Sequence, residues 1–493
     1  MTRALMFQGT GSDVGKTVLV AGLCRALKKR GLKVRPFKPQ NMSNNAAVAR
    51  DGGEIGRAQW LQALACGVAP SIHMNPVLLK PQSETGSQIV VHGKVRGTAK
   101  GRDYQALKPT LLGAVLESFD VLKREADIVL VEGAGSPAEI NLRKGDIANM
   151  GFATAARVPV VLVGDIDRGG VIASLVGTHT VLEPADRDMI VGYLINKFRG
   201  DVSLFDEGLE IVTRFTSWPS FGVLGWQVAA ARLPAEDSVV LEKLSRESAA
   251  PVTIAVPVLD RIANFDDLDP LSAEPGVDVQ FILPDDDWPT RPAAVIVPGS
   301  KSTIGDLNSF RQLGWDARIQ EAIQGGALVV GLCGGYQMLG NSIADPGGLE
   351  GSPSKVEGLG LLAVDTVMQP EKTVQNARAV SVDGRHPLTG YEIHLGKTEG
   401  ADCVRPIVDM DGRMDGATSP DGQVFGTYLH GLFESGPYRK AFLARLGVES
   451  DGADHRHNIE AALDELADAM ENVLDIDAML LASDLSASER GAA

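Results

Sequence analysis

The segment GTGSDVGKT at residues 9–17 has the residue types that bind a nucleotide phosphate. Gly11 and Gly15 free the backbone, so that its N–H groups can converge on an anion. Lys16 supplies a positive charge for the outer phosphates, and the Thr17 hydroxyl is a ligand for Mg²⁺. The loop is one residue longer than the strict pattern G-x-x-x-x-G-K-[ST], because its first glycine lies one position earlier. The segment therefore predicts a nucleotide site with a bound metal ion.

Two charged residues follow predicted strands and could complete this site. The apolar run Ile128–Val131 leads directly into Glu132, whose carboxylate we predict as the second metal ligand. A solvated loop acid is the alternative. Lys38 follows the predicted strand Lys33–Phe37 and could reach the γ-phosphate, with a plain surface lysine as the alternative.

A second reactive side chain is Cys333, which stands among glycines in ALVVGLCGGYQMLG. The preceding apolar residues predict a strand, and the glycines permit a tight turn into a helix that exposes the thiol. In such a nucleophile elbow the backbone N–H of the next residue, Gly334, stabilises an oxyanion. A second N–H donor would come from Gly299 or Ser300 in AAVIVPGSKST. The alternative for Cys333 is an ordinary buried cysteine.

A thiol nucleophile needs a base, and three histidines follow Cys333 within the same region: His386, His394 and His430. His430 ends the apolar run VFGTYLH, and a strand end is a position from which an imidazole can meet the elbow. We therefore predict His430 as the base, with His394 in GYEIHLG as the competitor.

The elements that position these residues alternate between short β-branched strands and longer helical patterns. The strands are predicted at Lys33–Phe37, Ile128–Val131, Val158–Val163, Val191–Asn196, Val252–Leu259, Val277–Leu283, Ala293–Pro298 and Ala327–Gly331. This rhythm predicts an α/β fold with two tandem doubly wound, mainly parallel-sheet domains, at residues 1–235 and 251–445. Residues 236–250 lose the strand pattern and predict a linker. Residues 446–493 predict a helical C-terminal tail that docks through apolar residues at helical spacing.

The composition of the 493-residue chain limits the class of protein. Apolar residues make up 44% and charged residues 22%, as in a globular protein with two cores. The four cysteines have no C-x-x-C spacing, which disfavours a zinc site and a disulfide framework. No export signal and no run of 18 apolar residues are present, which predicts a cytoplasmic protein without a membrane span. The net charge of −16 favours a small-molecule substrate over nucleic acid or an anionic membrane.

The longer phosphate loop resembles that of the dethiobiotin synthetase and MinD-like group of P-loop proteins. In dethiobiotin synthetase the γ-phosphate goes to a carboxylate, and an acid five residues before a glutamine is a metal ligand. In EIGRAQ, Glu54 precedes Gln59 by five positions, so the resemblance implies that Glu54 joins Thr17 and Glu132 at the metal. The segment NKF resembles a base-reading turn, which implies that Asn196 contacts the base of ATP.

The region around Cys333 resembles the class I glutamine amidotransferases, in which the cysteine attacks the side-chain amide of glutamine and ammonia leaves. Most of these proteins have His-Pro-Glu, with the glutamate orienting the imidazole, whereas His430 is followed by Gly-Leu. The cobyric and cobyrinic acid synthase branch shares this lack. Glu392 and Glu434 are the candidates for orienting His430.

Further motifs occur in the order found in the cobyric acid synthase family, and together they extend to about residue 435. These motifs are FKPQNMSNNAAV, GGEIGRAQ, MNPVLLKPQSETGSQ, VEGAGSPAEINL, DIANMG, VGDIDRGG, INKFRGD, PGSKST and GYEIHLGKT. The resemblance implies amidation of the b, d, e and g carboxylates of adenosylcobyrinic acid a,c-diamide with ATP, Mg²⁺ and glutamine, through acyl phosphates. The sibling family that makes cobyrinic acid a,c-diamide is the main alternative. A MinD-like positioning protein and a scaffold with a degenerate glutaminase half are alternatives from other classes.

An anionic corrinoid implies basic residues near the phosphate loop. The candidates are Lys38, Lys80, Arg143 and Arg168, each of which has a solvated surface charge as its alternative. Asp165 and Asp167 in VGDIDRGG follow a predicted strand, where metal binding and loop structure both stay open. Whether the protein forms a homo-oligomer also stays open.

Overall fold

The N-terminal half of the protein, up to residue 236, is built on a parallel sheet. The structure is a computed structural model that describes residues 2–82, 86–236, 241 and 250–484. The strands of this half are β1 (Arg3–Gly9), β2 (Val34–Phe37), β3 (Gln40–Met42), β4 (Ala46–Val48), β5 (Glu54–Gly56), β6 (Val77–Pro81), β7 (Gly86–Val91), β8 (Lys94–Lys100), β9 (Ile128–Glu132), β10 (Val160–Asp165), β11 (Ile190–Phe198) and β12 (Ser220–Gly225). The main sheet has the order β12-β11-β10-β1-β9-β2, and all its neighbouring strands are parallel.

Helices cover both faces of this sheet. They are α1 (Lys16–Lys29), α2 (Arg57–Cys66), α3 (Gly101–Glu125), α4 (Met150–Ala156), α5 (Val171–Val181), α6 (Pro184–Arg187) and α7 (Asp206–Thr216). Apolar residues of α1 and α2 form a core on one face, and those of α3, α4 and α5 form a core on the other. The strands between these cores are buried on both sides, which explains their continuous apolar runs. The predicted doubly wound fold is confirmed.

Two small sheets lie beside the main sheet, in a region where the sequence analysis assigned no strands. One has the order β3-β6-β7-β8, and the other pairs β4 with β5. Strand β3 follows closely after Lys38, and Lys80 lies within β6. These small sheets therefore set the positions of two of the predicted basic residues.

The C-terminal half, from residue 250, repeats the parallel-sheet design. Its strands are β13 (Val252–Pro257), β14 (Ile262–Ala263), β15 (Val277–Ile282), β16 (Ala294–Val297), β17 (Gly299–Ser300), β18 (Leu328–Leu332), β19 (Ser342–Asp345), β20 (Ser354–Glu357), β21 (Val364–Ser381), β22 (Pro387–Gly400), β23 (Val408–Met410), β24 (Arg413–Asp415), β25 (Ala417–Thr418) and β26 (Val424–Thr427). The main sheet has the order β15-β13-β16-β18-β26-β25, with only the edge strand β25 antiparallel. Its helices are α8 (Asp269–Ser272), α9 (Thr303–Gln312), α10 (Trp315–Gln324) and α11 (Gly334–Leu339).

The long hairpin of β21 and β22 contacts the N-terminal half. Tyr391 and Ile393 of β22 share a buried apolar cluster with Ala46 of β4. On β21, the Lys372 ammonium lies 2.5 Å from the carboxylate of Glu54. The two halves therefore meet through a buried interface that contains both apolar and ionic contacts.

The last described part of the chain forms three helices, α12 (Gly436–Arg445), α13 (His455–Val473) and α14 (Ile476–Asp484). Leu463, Leu466 and Met470 of α13 lie in the same core as α1, so the tail returns to the N-terminal half. The contact is close at Gly22 of α1, where a Cβ atom would lie 2.6 Å from the Met470 sulfur. The predicted helical C-terminal region is confirmed as far as residue 484, and residues 485–493 of that prediction lie outside the described residues. Among the helices of the described ranges, none has the length and apolar character that a bilayer span requires.

Candidate active sites

The phosphate loop lies between β1 and α1, at the carboxyl end of the first main sheet. Gly15 precedes the first turn of α1 with φ 89°, a left-handed conformation that favours glycine. A Cβ atom at Gly15 would also lie 2.6 Å from Asn196 Nδ2. Lys16 Nζ donates to the carbonyl oxygens of Gly11 at 3.4 Å and Gly135 at 3.3 Å. The loop therefore places an ammonium group beside a helix N-terminus, where the helix dipole also favours an anion.

Two carboxylates contact the Thr17 hydroxyl. Thr17 Oγ1 lies 2.8 Å from Glu132 Oε1 and 2.6 Å from Glu236 Oε2. Glu132 ends β9, which is the parallel neighbour of β1, so the sheet brings it to the loop as the sequence analysis expected. Gln62 of α2 donates to the other oxygen of Glu132 at 2.5 Å and fixes the carboxylate. Glu236 was missed, because it opens the predicted linker and belongs to no motif.

The donor set at Thr17 fits Mg²⁺. One hydroxyl and two carboxylates are hard oxygen ligands, which this ion prefers, and it commonly completes its coordination with water and phosphate oxygens. Within the described ranges, no group of three or more His, Cys, Asp or Glu side chains could hold a metal ion. The protein residues would therefore supply only part of the coordination.

Lys38 forms ion pairs with both carboxylates, at 2.8 Å to Glu132 and also with Glu236. Burial lowers the pKa of Lys38, but the two carboxylates outweigh burial and raise it. Burial also lowers the pKa of Lys16, and Glu132 opposes that shift. The site thus combines two lysines suited to phosphate with two carboxylates suited to a metal ion.

A cavity of about 1170 Å³ opens at this loop. Its wall includes Phe265 and Phe281 of the C-terminal half, and His455 and Asn458 of α13. The volume exceeds the usual range for a single small ligand, roughly 300–1,000 Å³. The cavity can therefore accommodate a second substrate beside a nucleotide.

The structure does not bring Asn196 into this cavity. Asn196 is buried within β11, and its Nδ2 donates to the carbonyl oxygen of Val14 at 2.9 Å. The amide therefore supports the phosphate loop from the side.

Glu54 pairs with other residues than Thr17 and Glu132. Its carboxylate contacts Lys80 at 3.0 Å and Lys372 at 2.5 Å. Burial alone would raise the pKa of Glu54, but Lys372 and Lys80 outweigh burial and lower it to about 2. The hairpin of β4 and β5 directs Glu54 to the interface with β21, and the structure therefore does not support Glu54 as a partner of Thr17.

The remaining charged candidates are engaged in ion pairs. Arg143 lines the large cavity and binds both oxygens of Asp186, at 2.6 and 2.8 Å. Near the end of β10, Arg168 pairs with Asp13, Lys197 of β11 pairs with Asp165, and Arg199 pairs with Asp167. These pairs favour a structural role for Asp165 and Asp167.

Cys333 occupies a strained turn between β18 and α11, with φ 51° and ψ −106°. A Cβ atom at Gly335 would lie 2.0 Å from the carbonyl oxygen of Val297, and one at Gly334 would lie 2.7 Å from the Ser300 nitrogen. Both positions therefore require glycine. This geometry is the nucleophile elbow that the sequence pattern predicts.

Cys333, His430, Gly299 and Gly334 line one small cavity of about 50 Å³. Gly299 reaches the cavity because β17 pairs with β14, at Ala263. The structure thus brings together the predicted thiol, base and oxyanion donors, although these residues are spread over more than 130 positions of the sequence.

His430 is held by an aspartate from a distant part of the C-terminal half. His430 Nδ1 lies 2.7 Å from Asp267 Oδ2, and the Gly431 N–H donates to Asp267 Oδ1 at 2.8 Å. Burial lowers the pKa of His430, but Asp267 and Cys333 outweigh burial and raise it to about 10. With this pKa the imidazole is protonated at neutral pH and forms a buried ion pair with Asp267 beside Cys333.

Glu392 and Glu434, the residues predicted to orient His430, lie elsewhere. Glu392 accepts a hydrogen bond from Gln375 at 2.5 Å and pairs with Arg413. Glu434 lies 3.4 Å from the guanidinium of Arg57. Both predictions were wrong, because these side chains leave β22 and the segment after His430 toward other partners. The acid-rich segment NFDDLDP, which contains Asp267, was the available sequence signal.

His394 lines the same small cavity, but its ring is engaged on both sides. Its Nδ1 lies 2.9 Å from the Gly396 carbonyl and its Nε2 lies 3.3 Å from Glu392. The ring also stacks on Tyr428 with 3.8 Å between centroids. The geometry favours His430 over His394 as the base.

Family comparisons agree with both sites. The model of the CobQ/CobB/MinD/ParA nucleotide binding domain matches residues 5–240, and that of the CobB/CobQ-like glutamine amidotransferase domain matches residues 253–438. A cobyric acid synthase of Sinorhizobium fredii is 66% identical over 96% of this chain and 98% of the relative. The chain belongs to the cobyric acid synthase family. Another member, from Brucella suis biovar 1, is 62% identical over 97% of this chain and 99% of the relative.

Membership of the cobyric acid synthase family confirms the predicted enzyme class and the order of its nucleotide-binding and amidotransferase regions. A solved glutamine amidotransferase aligns at 17% identity with 40% of this chain and 99% of that chain. The TM-score of this alignment is 0.30.

Proposed function

We propose that the protein amidates the b, d, e and g carboxylates of adenosylcobyrinic acid a,c-diamide to give adenosylcobyric acid in cobalamin biosynthesis. ATP would activate each carboxylate, and glutamine would supply the nitrogen. The observation that carries the proposal is that one chain of this family combines a phosphate-loop cavity at Thr17 with a thiol, imidazole and carboxylate at Cys333.

The phosphate-loop site would activate the substrate. A carboxylate is a poor electrophile, and transfer of the γ-phosphate gives an acyl phosphate whose phosphate can leave. Lys16 and Lys38 would neutralise charge on the transferred group. Thr17, Glu132 and Glu236 would hold Mg²⁺, which would supply positive charge to offset the charge of the phosphates.

The corrinoid would occupy the part of the large cavity that ATP leaves free. Lys108 and the Asp186-paired Arg143 line its wall, and Lys108 would attract the carboxylates of the substrate. Asn196, by supporting the loop at Val14, would act on ATP binding indirectly.

The second site would release ammonia. The Cys333 thiolate attacks the side-chain amide of glutamine, and the N–H groups of Gly334 and Gly299 stabilise the oxyanion. His430 then transfers its proton to the departing nitrogen, which leaves as ammonia. Water hydrolyses the thioester to glutamate, with His430 as the base, while Asp267 keeps the imidazole oriented.

These roles divide the chain into a carboxylate-activating domain at residues 1–235, a linker at 236–250, a glutaminase domain at 251–445 and a helical tail at 446–493. The contact of Glu236 with Thr17 supports a functional role for the start of the linker. We also propose a cytoplasmic enzyme that acts on a small corrinoid, with no nucleic-acid or membrane partner. The net charge of −16 supports this choice of substrate.

Mass spectrometry of adenosylcobyrinic acid a,c-diamide incubated with the protein, Mg·ATP and glutamine tests the proposal. Four successive carboxylate-to-amide conversions, each with ADP and glutamate formed, are expected. No conversion of this substrate, together with two conversions of cobyrinic acid itself, would assign the protein to the sibling reaction instead.

A further inference from the structure

The cavity at Cys333 contains a buried lysine, Lys301, that forms no ion pair with any residue the structure describes. Lys301 lines this cavity, and 8% of its surface is exposed. Its backbone N–H donates to the Arg261 carbonyl at 2.9 Å. Within the described part of the chain, its ammonium group makes no hydrogen bond or ion pair. Buried charges are normally paired, because an isolated ion loses its hydration without compensation.

The neighbouring cations do not share this feature. Lys80 of the N-terminal half and Lys372 of β21 also line the cavity, but both form ion pairs with Glu54, at 3.0 and 2.5 Å. Burial, Lys372 and Lys80 together lower the pKa of Lys301 to about 7. An anion placed beside Lys301 would therefore be bound strongly and would hold the proton on it.

A carboxylate lies on the same wall of the cavity. Glu350 accepts the backbone N–H of Ile304, in the first turn of α9, at 3.1 Å. Burial raises the pKa of Glu350, while the hydrogen bonds at the start of α9 and the charge of Lys301 oppose that shift. The lining of the nucleophile's cavity thus includes both a cation and a carboxylate, and no ion pair between the two is found among the described residues.

We propose that Lys301 binds the α-carboxylate of glutamine and Glu350 binds its α-ammonium group, so that the side-chain amide lies at Cys333. The inference rests on the glutaminase reaction proposed above. It explains why a buried cation is left unpaired, and how a site with a small-residue elbow selects a free amino acid over other amides. Because Lys80 and Glu54 of the N-terminal half tune the charge around Lys301, the glutamine site depends on both halves of the chain.

Substrate analogues that lack one charged group provide the test for Lys301. We compare Lys301→Met with the wild type, using L-glutamine and its α-amide, and measure release of ammonia from the side-chain amide. The variant should lose about 100-fold in kcat/KM for glutamine, because a charge-assisted contact is removed. For the α-amide, which has no carboxylate to bind, kcat/KM of the variant should differ from that of the wild type by less than about threefold. Lys397→Met, at an exposed lysine paired with Glu399, is the matched control.

The reciprocal test uses Glu350→Gln with glutamine and with 4-carbamoylbutanoate, which lacks the α-ammonium group. The amide oxygen of the substituted side chain at position 350 can still accept the Ile304 N–H, so the start of α9 keeps this hydrogen bond. The variant should lose roughly tenfold or more in kcat/KM for glutamine and little for the desamino analogue. Equal losses for both substrates in either variant would overturn the inference.

Ammonia-supported amidation of the corrinoid, which takes place at the other site, verifies that each variant is folded. If wild-type protein hydrolyses no glutamine, the proposed function fails first. In another outcome, the wild type hydrolyses glutamine while both variants keep the wild-type ratio of kcat/KM for glutamine to kcat/KM for the analogues. That result would refute only the roles of Lys301 and Glu350.

Discussion

The Asp267 carboxylate binds His430 through one oxygen, at 2.7 Å, and the N–H of the next residue, Gly431, through the other, at 2.8 Å. Because both oxygens are engaged, the carboxylate fixes the plane of the imidazole, whose Nε2 lies 3.5 Å from Asn264 Nδ2. Asp267 thereby occupies the role that a glutamate two residues after the histidine has in most class I glutamine amidotransferases.

Asp267→Asn should lower kcat for glutamine hydrolysis by about 100-fold or more, with a smaller effect on KM, because the imidazole loses its orientation and its charge partner. Steady-state glutamate release measures both constants. Asp260→Asn, at an exposed aspartate on the same segment, is the control. Wild-type kcat in the Asp267→Asn protein would contradict the assignment.

The same pair predicts a pH dependence of stability. The pKa of His430 is raised to about 10 from an ordinary 6.5, so the folded protein binds this proton more tightly than the unfolded chain. The resulting stabilisation is complete below pH 6.5 and is lost as the pH rises toward 10. Asp267→Asn should therefore cost more unfolding free energy at about pH 6 than at about pH 10, by at least about 1 kcal/mol. Urea unfolding at both pH values measures it, and equal losses would refute the expectation.

Cys333→Ala should abolish glutamine-dependent amidation while amidation with free ammonia continues, because the phosphate loop is a separate site. The measurement is amide formation on the corrinoid with each nitrogen donor. If a folded Cys333→Ala protein loses both activities, the separation of the two sites is wrong. Wild-type glutamate release by this variant would instead remove Cys333 from the mechanism.

Substitutions of Glu236 and of Glu54 should have different effects on the Mg²⁺ dependence of the enzyme. Glu236→Gln should raise the Mg²⁺ concentration needed for half-maximal ATP-dependent amidation, by about tenfold, because a carboxylate at Thr17 is lost. Glu54→Gln should leave the Mg²⁺ dependence unchanged and destabilise the protein, because Lys80 and Lys372 lose their counter-ion. A Mg²⁺ titration of both variants decides between the two glutamates.

Arg57 and Asp266 form a buried ion pair of 2.8 Å across the two halves. Arg57→Met should lower the free energy of unfolding by about 3–5 kcal/mol, since it leaves a buried carboxylate uncompensated. Arg318→Met, which removes an exposed pair with Glu321, should cost less than about 1 kcal/mol. Chemical denaturation compares the two variants, and similar losses would mean that water or a neighbouring group compensates Asp266.

The elements that could be predicted from the sequence are those whose chemistry lies in consecutive residues. The loop at residues 9–17 needs glycines, a lysine and a hydroxyl in a row, and the elbow at Cys333 needs small residues on both sides. The buried parallel strands were predicted because burial on both faces leaves a continuous apolar run. Glu132 was found for a related reason, since it directly follows such a run.

The partners that the sequence analysis missed come from far along the chain. Asp267 lies 163 positions from His430, and Glu236 lies 219 positions from Thr17. Glu54 has the spacing to Gln59 that suggested a metal ligand, but a short hairpin turns it toward Lys372 on the other half.

The sequence by itself determined the two chemistries of this protein, phosphate binding at Lys16 and thiol chemistry at Cys333, because each depends on a local turn that specific adjacent residues make possible. Only the tertiary structure decided which acids complete them. A carboxylate contributes to a site through a contact of about 3 Å, which sequence spacing does not encode when the two residues belong to different elements. Sheet order and the packing of the two halves placed Asp267 and Glu236 at these contacts and left Glu54, Glu392 and Glu434 with other partners.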